Sequence, residues 1–268
     1  MTWKTSSVAR LAAGLTAGAA MALAAVPAAA SAATSASDWV TFDTVPAGAA
    51  VQTVTGQSDG LGGCAFDFSG SVGPSHAALR ADEVAYSPST CQSQVAYTSD
   101  GSAAPEAPDP SQAAVVDSGS VGSPLTGPTP PSLAIAVHSA GYMQSWYQDP
   151  ARIKVNSVTD STDWRWNGSC VVAPVFGGNH YTWFSGSGWS LHENNWQNNY
   201  NCGQSTSSSY AHFFNGVFCA FVDTNTYYNR NTVHGHGNGV LTGSVHAVKS
   251  GGCTGLLSFH WSLKRTLH

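Results

Sequence analysis

Apolar and polar positions alternate along most of this chain. Cys64, Phe66 and Phe68 are separated by Ala65 and Asp67, and Cys91, Ser93, Val95 and Tyr97 by Gln92, Gln94 and Ala96. A period of two puts each set on one face of a half-buried strand. Leu133, Ile135 and Val137 repeat it with small residues between them, and the aromatic-rich stretch from Gly141 to Tyr147 runs on until Asp149-Pro150 ends it. Only His76 to Tyr86 has the composition of a short helix. Asn167-Gly168 and Asn238-Gly239 predict type I′ hairpins. A strict two-residue turn at the first sets Trp164 across from Val171 and Arg165 across from Cys170. At the second it sets His236 across from Leu241 and His234 across from Gly243, with His246 on the opposite face. Many short strands, Gly-rich turns and almost no helical periodicity predict an all-β chain, an antiparallel β-sandwich or jelly-roll-like fold.

Composition then divides the chain. Residues 102–132 turn to Pro, Ala, Ser and Gly, with Pro105, Pro108, Pro110, Pro124, Pro128, Pro130 and Pro131, which predicts a loop or linker without regular structure. It separates a β region at 34–101 from an aromatic-rich β region at 133–268. One sandwich with a long excursion is favoured over two linked domains, because the smaller part would bury little core alone. Residues 1–33 read as a cleavable signal peptide: Lys4 and Arg10, an Ala-rich apolar stretch from Leu11 to Val26, then small residues up to Ala33. The expected product is secreted and extracellular, with no membrane association after signal cleavage.

Six cysteines, all beyond the signal, fit an oxidising compartment and three disulfides. Spacing does not choose among the 15 pairings. The expected set is the sequential one, Cys64 with Cys91, Cys170 with Cys202 and Cys219 with Cys253, since each closes a loop of similar size within one region. Charged residues make up only 9% of the chain. Without Lys4 and Arg10, eight Lys plus Arg face fifteen Asp plus Glu, a net of minus seven. Phosphate neutralisation needs clustered Lys and Arg, so nucleic acid is not an expected partner.

The run Gly141-Tyr142 through Trp146 to Asp149-Pro150, then Val155-Asn156-Ser157-Val158 and Asp163-Trp164-Arg165-Trp166-Asn167-Gly168-Ser169-Cys170, resembles a group of secreted actinomycete proteins with no assigned function. The resemblance covers the latter two thirds of the mature chain. It implies a compartment and no activity.

Catalytic and metal templates break at required positions. His234-Gly235-His236 puts two imidazoles on one strand face, a spacing zinc or copper sites use, and makes a divalent metal the candidate cofactor. A third ligand would have to come from His180, His192, His212, His260 or Glu193. His192-Glu193 opens like a zincin motif, yet Trp196 stands where the second His must be, in an Asn-rich run to Asn201 that reads as loop. No Gly-x-Ser-x-Gly is present. Glu193 and Asp223 are candidate paired carboxylates, whereas Asp149, Asp160 and Asp163 read as turn and cap residues. The remaining signal is aromatic. Trp183, Trp189, Trp196 and Tyr200, interleaved with Asn, have the flat faces and amide donors that suit a polysaccharide; core filling by rings is the alternative. The expected function is a non-catalytic extracellular protein that binds glycan or a cell-envelope polymer. A secreted hydrolase, metal-assisted through His234 and His236 or carboxylate-based, is the competing reading.

Overall fold

The period-two stretches Cys64–Phe68 and, from Gln92 on, Cys91–Tyr97 become strands, while Leu133 and Ile135 lie outside the described residues. In a computed structural model, residues 38–60, 62–75, 77–99, 114–117 and 136–267 are described; residues 1–37, with the expected signal peptide, and most of the Pro-rich segment lie outside them. The strands are β1 (Val40–Thr41), β2 (Ala50–Thr55), β3 (Gln57–Ser58), β4 (Cys64–Val72), β5 (Ala78–Ser87), β6 (Gln92–Ser99), β7 (Ala114–Asp117) and β8 (Val137–Gln148). They continue as β9 (Lys154–Trp166), β10 (Val171–Trp183), β11 (Ser190–Tyr200), β12 (Gln204–Cys219), β13 (Val222–His236), β14 (Leu241–Gly251) and β15 (Ser258–Leu267). All pairings are antiparallel.

They form two sheets. One has nine strands in the order β2-β6-β5-β15-β8-β9-β10-β7, with β1 also on β5; the other runs β11-β12-β13-β14-β4-β3. The regions on either side of the Pro-rich segment contribute to both sheets, since β15 pairs with β5 and β14 with β4. Rings from the two inner faces meet between them, with Phe68 stacked on Phe259 at 4.8 Å and Tyr147 edge-on to Tyr228 at 5.5 Å. This is a sandwich-like arrangement stapled by Cys64–Cys91, Cys170–Cys202 and Cys219–Cys253. The first two bonds tie one sheet's strands or loops to the other's.

Several expectations change. The helix-like stretch from Ala78 is strand β5, because β6 and β15 claim its two edges and this pairing overrides helix propensity; His76 lies outside the described residues. The Pro-rich segment is not wholly irregular, since its proline-free window Ala114–Asp117 is β7 and pairs with β10. The Asn-rich run is strand β11 rather than loop.

Both hairpins are also wider than two residues. Asn167 Oδ1 accepts bonds from the Ser169 and Cys170 amides at 3.2 and 2.8 Å, which holds a four-residue loop and sets Trp166, not Trp164, opposite Val171. Gly237-Asn238-Gly239 is a three-residue loop with Gly239 at φ +83°, so His234 faces Thr242 and Gly235 faces Leu241. One extra residue reverses the parity of β14. His246 consequently shares the face of His234 and His236.

Between the sheets the core is partly polar. β12 turns Ser205, Ser207 and Ser209 inward along with Ala211 and Phe213. Ser207 and Ser209 donate to Asp160 of β9, at 3.4 and 2.8 Å, and so do Asn231 at 2.6 Å and Asn179. Asp160 is thus a fully buried cross-sheet acceptor in mid-strand, not a turn residue. Its neighbour Asp163 pairs with His138 at 2.6 Å, also within β9 rather than at a turn. Asp149 does cap a turn, accepting from the Ile153 amide at 2.8 Å.

Candidate functional site

Strand alternation gives the six-stranded sheet an outer face of hydroxyls, amides, imidazoles, carboxylates and two phenols, Tyr210 and Tyr227. Ser208 and Tyr210 of β12 project there, as do Thr242, Ser244 and His246 of β14 and Asp67, Ser69 and Ser71 of β4. One irregularity shapes this face. Between the Asn229–His246 and Thr232–Ser244 pairs, β13 carries an extra residue, and Arg230 is left with φ +56°. A bulge re-aims a side chain and bends its strand. A non-glycine residue held in the left-handed region costs about 1 to 2 kcal/mol and persists where the surroundings impose it. Arg230 is exposed on the surface, and no carboxylate among the described residues pairs with it.

The bulge lies in a groove. A depression of about 420 Å³ lined by Asn195, Trp196, Gln197, Ser208, Tyr210 and Arg230 meets a second of about 750 Å³, to which Asp67, Ser69, Asn229, Ser244 and His246 contribute. Tyr210 and Arg230 belong to both. A third of about 400 Å³, with Ser71, His234 and Thr242, shares Ser69 and Ser244 with the second. The three cross β11, β12, β13, β14 and β4, four inter-strand steps or about 19 Å. Within it, His246 Nδ1 meets Asp67 Oδ1 at 2.8 Å, and the Tyr210 hydroxyl donates to Glu193 Oε2 at 3.3 Å. Burial, then the Glu193 charge, pushes the Tyr210 phenol up, so it remains a donor. The groove offers many neutral hydrogen-bonding groups, the rings of Tyr210 and Trp196, and one open guanidinium.

His234 and His236 project from the same face, their rings 6.0 Å apart. Each is tied to a threonine: His234 Nδ1 to Thr206 Oγ1 and His236 Nε2 to Thr242 Oγ1, both at 2.9 Å. Burial lowers both imidazoles from their ordinary pKa, and His236 lowers His234 further. No group of three His, Cys, Asp or Glu among the described residues could hold a metal ion. Of the other candidates, His192 faces His212 at 3.4 Å, and His212 meets Asn225 Oδ1 at 2.8 Å. His180 and His260 belong to strands of the other sheet. The His-Gly-His spacing has a packing cause: a Cβ at Gly235 would run into the Trp164 ring, whose Nε1 donates to the His236 carbonyl at 3.1 Å.

The four aromatic candidates do not form one surface. Trp189 is 2% exposed and packs near Phe218, Tyr200 is buried, and Trp183 leans on Phe213. With few aliphatic residues available, rings fill this core. Trp196 alone is open, at 45% exposure, and it lines the first depression. Glu193 accepts from Tyr210, while Asp223 lies at the start of β13. Sequence reading missed Tyr210 and Arg230 and set His246 on the wrong face; their proximity depends on the bulge and on the three-residue turn. No family model, curated protein or solved structure matches the chain.

Proposed function

We propose that this is a secreted protein that binds extracellular glycan or a cell-envelope polymer, laid across the outer face of the six-stranded sheet. The observation that carries the reading is the groove running over five strands, with Tyr210 and Arg230 at its centre and Arg230 held there by a backbone bulge. A polymer explains length better than a small ligand does. Hydroxyl and amide side chains match the hydrogen bonding of a polyol, and Tyr210 and Trp196 supply faces for sugar rings. The acidic mature chain favours a neutral polymer over a polyanion. Three disulfides suit an oxidising environment, and no helix among the described residues is long and apolar enough to cross a membrane.

Retention on insoluble cell wall, chitin and cellulose tests the reading. Wild-type protein is expected to be retained on at least one of them, and Tyr210→Ala and Arg230→Ala to weaken retention about tenfold each, the loss of one well-placed contact. Absence of retention on all three would sink it.

A further inference from the structure

The nine-stranded sheet carries a second constellation, on the face turned away from the core. Phe259 and Trp261 of β15 point inward, so Ser258 and His260, two residues apart, project together to the other side. His260 is the direct cross-strand partner of Asp82 on β5. The Ser258 hydroxyl lies 2.8 Å from His260 Nε2, and His260 Nδ1 lies 2.7 Å from Asp82 Oδ1. An ionised carboxylate only accepts, so Nδ1 carries the proton and the Nε2 lone pair is left to accept from Ser258. The other acceptor near that hydroxyl, the Gln148 carbonyl, is at 3.4 Å.

Arg80, on the same face of β5, grips both Asp82 oxygens through Nε at 2.8 and 2.9 Å. Burial pushes the Asp82 carboxyl up, but His260 and Arg80 more than offset it and leave the group below the usual range. The Trp146 ring stacks on His260 at 5.4 Å, nearly parallel, and fixes its plane. Ser258 and His260 open into a cleft of about 240 Å³, walled by Phe42, Pro150 and Leu256, with Thr41, Gln148 and Arg152 as donors. Its size fits a small acyl group, since drug-sized ligands need about 300 Å³ or more.

We infer that Ser258, His260 and Asp82 form an acyl-transfer site that hydrolyses short-chain carboxylic esters. The Ser258 oxygen adds to the ester carbonyl carbon as its proton passes to His260 Nε2. The bond to the alcohol oxygen breaks, and the alcohol leaves with that proton. Water then attacks the acyl-Ser258 ester, gives a proton to Nε2 and releases the acid, and the proton returns to Ser258. Asp82 orients His260 and stabilises its charged form; Arg80 is a positioning residue acting through Asp82. Thr41, Gln148 and Arg152, the last paired with Asp43 at 3.0 Å, line the same cleft and are the candidate donors to a developing oxyanion.

Two probes test this on the full-length folded protein. A fluorophosphonate should label native wild-type protein at Ser258, read by peptide mass spectrometry, and heat-denatured protein should not be labelled. 4-Nitrophenyl acetate should be cleaved in preference to 4-nitrophenyl octanoate, with kcat/KM falling at least about 100-fold in Ser258→Ala. Asp82→Asn should lower kcat far more than it changes KM, at unchanged circular dichroism. Labelling of native wild type needs no variant to fold. Absence of label at Ser258, or acetate cleavage by Ser258→Ala at the wild-type rate, would overturn the assignment.

Discussion

Lys249 of β14 and Glu83 of β5 meet at 2.9 Å across the space between the two sheets, each about 1% exposed. The ammonium also donates to the Leu257 carbonyl at 2.8 Å and sits 3.6 Å from the Tyr86 ring centre, while Glu83 accepts from the Phe259 amide. Burial lowers the Lys249 pKa and Glu83 only partly restores it. A buried pair of this kind contributes little net stability over apolar replacements, but half of it is costly. Lys249→Met should therefore destabilise the fold by about 3 to 5 kcal/mol. The double variant Glu83→Gln, Lys249→Met should recover part of that loss in urea unfolding; equal losses would refute the coupling.

Asp160 gives the fold a pH dependence. Burial pushes its carboxyl up to about 7, and the hydrogen bonds from Asn231, Ser209, Asn179 and Ser207 only partly counter it. The native state then keeps a proton that the unfolded chain releases near pH ~3.9. Stability from this group is full below about pH 4 and is lost as pH rises to about 7, by up to about 4 kcal/mol. The Asn179 side-chain oxygen is buried without a hydrogen-bond partner, and turning that amide over would give the proton an acceptor. Asp160→Asn should flatten the difference in urea stability between pH 5 and pH 8 relative to wild type.

Arg230 should trade stability for binding. Glycine tolerates φ +56°, so Arg230→Gly is expected to raise stability by about 1 kcal/mol or leave it unchanged. The same variant should weaken polymer retention about tenfold, because the guanidinium leaves the groove. Thermal unfolding and the retention assay on one preparation would separate the two effects.

Cross-sheet disulfides should matter most under denaturant. Cys64–Cys91 closes a 27-residue separation and Cys170–Cys202 one of 32. Replacing either pair with serine should cost about 2 to 4 kcal/mol, measured by equilibrium unfolding without reductant.

Strand identity was legible in the alternation of Cys64, Phe66 and Phe68 and of the residues from Cys91 to Tyr97, and so was the all-β class. Register was not. Asn238-Gly239 announces a turn, but whether the loop holds two residues or three decides which face His246 takes, and that depends on Gly237 and the His236–Val240 pairing. The Asn167 side chain likewise widens its loop by bonding forward. Burial misled in the opposite direction: Trp189 lies in a Ser- and Gly-rich stretch yet packs inside, while the serines of β12 face the core. Ser258 and His260 are adjacent enough to be read as a same-face pair, but Asp82 stands 178 residues from His260. Only the pairing of β15 with β5 brings it there.

That pairing has a consequence for how the molecule comes into being. β15 lies between β5 and β8 in the sheet and after both in the chain. A chain delivered from its N-terminus must leave the inner edge of β5 open for well over a hundred residues of delay. Such non-local closure is slow, and an open edge invites pairing with a neighbouring molecule. The last strand to arrive is therefore the keystone: it completes the sheet, seals a sticky margin and, in the same motion, carries Ser258 and His260 to Asp82.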